Sequence, residues 1–215
     1  MSHTIRNFVK KRPLLYSLAK KIKADYRQIG SKAKWKNLIK NNAIKLEVGS
    51  WKKYGTNGWT TVDLEDSDIC WDLRRGIPLP SESVDKIYSS HLLEHIPYQQ
   101  LILFLIECRR VLKVGGDFSV CVPNFRFYID AYIDGKLAIE RDAWWQPGSI
   151  DTGSSMDQLN YQAYMGDDHK YMFDEENLIN TLKKAGFSEA KLRNFDPELD
   201  LRSRDIGSIY AIANK

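Results

Sequence analysis

Ile44-Lys45-Leu46-Glu47-Val48-Gly49-Ser50-Trp51-Lys52-Lys53-Tyr54-Gly55-Thr56-Asn57-Gly58-Trp59-Thr60-Thr61-Val62-Asp63 reads as two short β-strands joined by a glycine-bearing turn, the second closing on a carboxylate. A parallel sheet presents a nucleotide site in this way: the backbone approaches the ligand at a glycine, and an acid at the next strand end accepts ribose hydroxyls. Trp51 stands where a Gly-x-Gly turn would place its second glycine. The nine residues from Ser50 to Gly58 are also too few for a helical crossover, which normally takes a dozen or more.

Outward from this stretch, strands are expected at 43–48, 59–63, 84–90, 116–122, 189–195 and 207–213, with an edge strand near 68–71. Helices are expected at 98–113, with Leu101, Leu105, Cys108 and Leu112 on one face and a stop at Gly115-Gly116, and at 174–185, with Asp174 as N-cap. A short helical stretch at 35–39 leads into the first strand. The alternation predicts an α/β fold: a Rossmann-like, mostly parallel sheet with a C-terminal antiparallel strand and a compressed first crossover. It carries an N-terminal helical arm and an insertion after strand 5.

The 215 residues, 43% hydrophobic, suffice for one domain with a real core. The expected division is a basic helical arm over 1–41 and a single domain over 42–215, within which 124–171 forms a lid or substrate-binding insertion. The net charge of +4 is unevenly spread: residues 1–41 carry 12 Lys/Arg and one acid, while the rest of the chain is net acidic. Leu14, Leu15, Leu18, Ile22 and Tyr26 give the arm an apolar stripe opposite Lys20, Lys21 and Lys23. That pattern suits covering a bare sheet face while a basic face meets an anionic surface. Cys70, Cys108 and Cys121 are an odd number with no Cys-x-x-Cys spacing, as expected of thiols in a reducing compartment. No segment has the apolar length of a membrane span, and no signal sequence is recognisable, so a cytoplasmic protein is expected, peripheral to the membrane if the arm binds lipid.

The chain resembles the class I S-adenosylmethionine-dependent methyltransferases, in particular a small bacterial branch, over about Lys45 to Asn214. The resemblance is carried by Leu46-Glu47-Val48-Gly49-Ser50, Gly58 to Asp63, Asp72-Leu73-Arg74-Arg75, the run Ser83 to His95, Arg110-Val111-Leu112-Lys113-Val114-Gly115-Gly116, and His169 to Phe187. It implies S-adenosylmethionine as cofactor. Glu47 and Gly49 would cradle its amino-acid end with Ser50 and Trp51 beside them; Asp63 would accept the ribose hydroxyls; Asp72 and Leu73 would lie by the adenine; Ser90 and His91 would line the site beneath the methyl donor. His91 and then His169 are the candidate proton acceptors.

His91-Leu92-Leu93-Glu94-His95 also matches the His-x-x-Glu-His order of some zinc peptidases. The methyltransferase-like context accounts for it better, so no metal is expected, and Glu94 and His95 read as capping or supporting groups. The expected acceptor is a small molecule, a glycan or a lipid-linked compound. A nucleic-acid substrate is disfavoured by the acidic body and by the absence of an Asn/Asp-Pro-Pro-aromatic signature. The competing reading is a catalytically silent binding or scaffold protein that kept the fold.

Overall fold

The computed structural model describes residues 30–136 and 152–215. It contains a seven-stranded sheet of order β3-β2-β1-β4-β5-β7-β6. The strands are β1 (Lys45–Val48), β2 (Trp59–Asp63), β3 (Ile69–Cys70), β4 (Val84–Ser90), β5 (Leu112–Pro123), β6 (Glu189–Leu192) and β7 (Ser208–Asn214). β1 to β5 are parallel, and β7 runs antiparallel between β5 and β6. The helices are α1 (30–38), α2 (Tyr98–Val111), α3 (Phe125–Ile133), α4 (Met156–Tyr164) and α5 (Glu175–Lys184).

Side chains alternate across the strands, so the register divides the sheet into two unlike faces. One carries Leu46, Val48, Val62, Ile87, Phe118, Val120, Val122, Ile209, Ala211 and Ala213, all buried. Against it lie Leu101, Phe104, Leu105 and Cys108 of α2 and Leu178 and Leu182 of α5, in one continuous core with Trp35 and Leu38 of α1. Each of these leucines, removed from water, contributes about 1.5–3 kcal/mol. The other face bears Lys45, Glu47, Trp59, Thr61, Lys86, Tyr88, Asp117 and Ser119. It is held by polar contacts: Lys86 pairs with Asp117 at 3.2 Å, and Arg193 makes a two-pronged bond to buried Asp200, to which Tyr88 also donates. No described helix connects β1 to β2 or β2 to β3. The amphipathic stripe 14–26, expected to cover a bare sheet face, lies outside the described residues, as do Trp144 and Trp145.

α5 forms as expected. The Asp174 carboxylate accepts from Asn177 N at 2.7 Å, Glu175 and Glu176 occupy the first turn, and Lys183 and Lys184 the last. These charges complement the helix dipole. α2 departs from expectation. It ends at Val111, and Leu112 already pairs with Val84 in β5. The pairing then jumps from Val84–Leu112 to Lys86–Asp117, so Lys113 to Gly116 bulge out, with Gly115 at φ +78°. The glycine pair therefore serves a β-bulge, not a helix stop. The first and sixth strands are shorter than expected, at 45–48 and 189–192, and the 35–39 stretch is part of a helix over 30–38. Within 124–171 the described residues contain two helices, α3 and α4.

Candidate active site

At the carboxyl edge of the parallel strands the chain leaves β1 through Gly49, at φ +74°. A side chain here would be both strained and obstructed: an added Cβ would stand 2.7 Å from Leu92 Cβ. Ser50 follows, buried, its Oγ without a hydrogen-bond partner. Trp51 and Lys52 both take left-handed backbone, φ 39° and 53°; the Trp51 indole is 72% exposed and the Trp51 backbone N–H donates to Asp63 Oδ2 at 2.8 Å. The indole is outside the turn, not in it.

The turn is compressed because Asp68 staples it. Its Oδ2 accepts from Gly55 N (2.8 Å), Thr61 N (3.0 Å) and Thr61 Oγ1 (3.0 Å). Burial would raise this carboxyl's pKa, but those donors and the charge of Lys34 outweigh it and hold the pKa below the usual range. Gly55 is required for this path, since a Cβ there would lie 1.9 Å from the Trp59 carbonyl oxygen. A short, stapled loop thus replaces the usual helix.

Asp63 is half-buried at the end of β2, accepting from Trp51 N (2.8 Å) and Leu64 N (2.5 Å) through different oxygens. A carboxylate has about four acceptor sites, so one remains on each oxygen. Glu47 is buried on the polar face and carries the ammonium of Lys53 at 2.8 Å. Asp72 follows β3 and bonds locally. It caps the turn Leu73–Arg75 and holds the Arg74 guanidinium through both oxygens, at 2.8 and 2.9 Å. Burial would raise its pKa, but the bonds from Arg74 and the charge of Arg75 bring it down. Leu73 points into the core.

At the end of β4, His91 takes φ +51° and places Nε2 3.0 Å from Ser208 Oγ. Burial, reinforced by the nearby Arg204 charge, pushes its pKa down to about 3, so it is neutral at pH 7 and a weak proton acceptor. Arg204 Nη1 approaches the Ser90 hydroxyl at 3.4 Å. His169 is buried on the far side of Glu94 from His91, its ring against that of His95 and its Nδ1 2.5 Å from the Gln162 carbonyl oxygen. Glu94 is enclosed too. Its carboxyl caps nothing, and burial drives its pKa up to about 8.

The structure therefore gathers Gly49, Ser50, the Trp51 backbone, Asp63, Ser90 and His91 along one edge, with Glu47 just below. The carboxylate of Asp72 is tied to Arg74, Leu73 lies in the core, and His169 is set back. Sequence reasoning missed Lys53, Arg204 and Ser208. A signal for the last two existed: if the final strand is antiparallel, its amino end lies at the carboxyl edge of its neighbour, and Ser208 indeed pairs with Pro123 at the end of β5.

Residues 48–120 match the family described as "Methyltransferase domain". A stretch of 57 residues is 42% identical to a probable S-adenosylmethionine-dependent methyltransferase of Mycolicibacterium smegmatis; it covers 25% of this chain and 21% of that protein. The chain thus spans about a fifth of the length of the relative it matches. Among solved structures, PigF with SAH aligns over 80% of this chain and 50% of its own, at 13% identity and a TM-score of 0.50. A methyltransferase of Mesorhizobium loti aligns over 80% and 90%, at 16% identity and a TM-score of 0.48. Over residues 48–120 the chain is thus similar to a methyltransferase domain, and its short matched stretch is similar to a probable S-adenosylmethionine-dependent enzyme. The strand order with an antiparallel β7 is a Rossmann-like arrangement.

Proposed function

We propose that this protein is an S-adenosylmethionine-dependent methyltransferase acting on a small molecule, a glycan or a lipid-linked acceptor. The observation that carries the proposal is the strand-end edge, where the Gly49 turn, Asp63 and Ser90-His91 meet in a family-matched segment. The cofactor fits the residues present: the orphaned buried Ser50 Oγ awaits a partner, and Asp63 keeps an acceptor site on each oxygen for a pair of ribose hydroxyls. Glu47 suits the ammonium of the methionine end, where the Lys53 ammonium now stands in.

When bound, the cofactor would supply a methyl group on a sulfonium, which the acceptor's nucleophile takes in line as the C–S bond breaks and the neutral thioether leaves. The chain's own tasks are alignment and water exclusion. His91, neutral and fixed by Ser208, is placed to orient an acceptor hydroxyl or amine. Its depressed basicity fits a positioning role better than full proton removal. Exposed Tyr132 and Tyr164, on α3 and α4 in the segment after β5, offer flat surfaces to a ring or sugar acceptor.

A silent binding protein is the second reading, favoured by one observation: Lys53 already satisfies Glu47. Lys53→Ala separates the two. In an active site the substitution removes a competitor and tightens S-adenosylmethionine binding about two- to fivefold, an exposed ion pair being worth about 1 kcal/mol or less. Neither parent nor Lys53→Ala binding the cofactor would establish the silent form.

A further inference from the structure

We propose that Glu94, His95 and His169 form a binding site for a divalent transition-metal ion of the zinc(II) type. The proposal is independent of the cofactor reading. It begins at Glu94, 2% exposed, with neither carboxyl oxygen hydrogen-bonded among the described residues. A buried carboxyl without donors holds a negative charge at low cost only where a cation meets it. His91 Nδ1, at 3.6 Å, and His95 Nε2, at 3.9 Å from Oε1, are too distant for hydrogen bonds.

Both ligand imidazoles have their tautomers set by backbone. His95 Nδ1 lies 3.2 Å from the Asp168 carbonyl oxygen and His169 Nδ1 2.5 Å from that of Gln162. A carbonyl only accepts, so each Nδ1 carries the proton and each Nε2 keeps its lone pair. Zinc-binding histidines are prepared in the same way, by donating the other ring N–H to a carbonyl or carboxylate. One ligand atom from each of the three residues lies within 4.8 Å of the others, and the two rings meet edge to face with centroids 4.9 Å apart. Metal bonds of about 2.0–2.2 Å would draw the three atoms to roughly 3.3–3.6 Å of one another. A small side-chain contraction is enough.

The loops that carry the ligands are already joined, since the Glu94 carbonyl accepts from Lys170 N at 2.7 Å and from Tyr171 N at 3.1 Å. Two imidazoles and one carboxylate select zinc(II), cobalt(II) or iron(II) over calcium and magnesium, which prefer all-oxygen shells. Three protein ligands leave a coordination position for water or an acceptor oxygen. The proposed ligand set differs from the His-x-x-Glu-His pattern: His91 turns to Ser208, and the third ligand comes from 74 residues beyond His95.

The test is titration of the full chain, without an affinity tag and stripped by chelator, with Co²⁺ followed by Zn²⁺. Expected are one equivalent of Co²⁺ with visible ligand-field bands, displacement by Zn²⁺, and X-ray absorption of the zinc form showing two imidazole ligands. Glu94→Gln, which keeps size, and His169→Ala should each weaken binding at least tenfold, whereas His91→Ala should change it less than about threefold. Circular dichroism reports whether each variant is folded, and the parent's absorption spectrum decides the matter if a variant is not. No Co²⁺ bands at millimolar metal, a zinc shell without two imidazoles, or undiminished binding by folded Glu94→Gln would overturn the proposal.

Discussion

Trp51 is the residue on which the sequence and the structure differ most usefully. Its identity suggests a ring that either blocks the methionine end of a cofactor or stacks on it. Its left-handed backbone instead carries the indole to solvent, and the N–H left behind supports Asp63. Glycine adopts this backbone without strain, so Trp51→Gly should stabilise the fold by about 1 kcal/mol in thermal or urea unfolding, and change S-adenosylmethionine affinity less than about threefold. A large gain in affinity would place the indole inside the pocket. The positions of Gly49 and Asp63 were legible because they depend on backbone freedom and a strand end. What the sequence did not show is that the Asp72 carboxylate has a near partner in Arg74, two residues on.

Among the elements, the loop between β3 and β4 shows how the fold manages without a crossover helix. Arg110 on α2 donates to the carbonyls of Ile77 (2.8 Å) and Leu79 (3.0 Å), while Glu107 accepts from Ile77 N at 3.2 Å and from Arg110. This clamp fixes an irregular segment onto a regular helix. The Arg110 guanidinium holds the pKa of the Glu107 carboxyl below the ordinary glutamate range. A carboxyl with a depressed folded pKa stabilises above the unfolded value and loses that contribution as pH falls through the folded one. The parent should therefore lose this share of stability below about pH 4.5, whereas Arg110→Ala, destabilised by about 1–2 kcal/mol at pH 7, should show a shallower acid limb in urea unfolding. Identical acid limbs would remove the clamp from the account. The clamp itself was hidden in the sequence, where Arg110 belonged to a family motif and Glu107 to an exposed helix face. The β-bulge at Gly115-Gly116 was hidden as well, because a glycine pair after a helix-like run signals a stop with equal force in either geometry.

At the scale of the molecule, a mostly parallel sheet with an antiparallel strand at its C-terminal end was legible, and the coverage of the sheet was not. Alternating strand and helix patterns specify a parallel sheet, and the short Ser50 to Gly58 connection foretold a missing helix. Only the register shows that the face it leaves is polar, closed by Lys86–Asp117 and the Arg193–Asp200 pair instead of apolar packing. The structure also moves the useful cut in the basic arm. Trp35, 1% exposed, anchors α1 in the core, so the arm is tested by deleting residues 1–29, which hold eight Lys/Arg and one acid. With about 1 kcal/mol per cation near an anionic membrane, the full chain should co-sediment with phosphatidylserine vesicles at low salt and the truncated chain should not. Equal sedimentation would assign the arm another role.

The central claim is that this compressed turn still holds the cofactor. Calorimetric titration of the full chain with S-adenosylmethionine and with S-adenosylhomocysteine tests it most directly. The account predicts saturable binding of one ligand per chain. Asp63→Ala should weaken it about ten- to a hundredfold, the loss of charge-assisted hydrogen bonds worth about 1.5–3 kcal/mol. Absence of binding at millimolar ligand, or full affinity in Asp63→Ala, would contradict it.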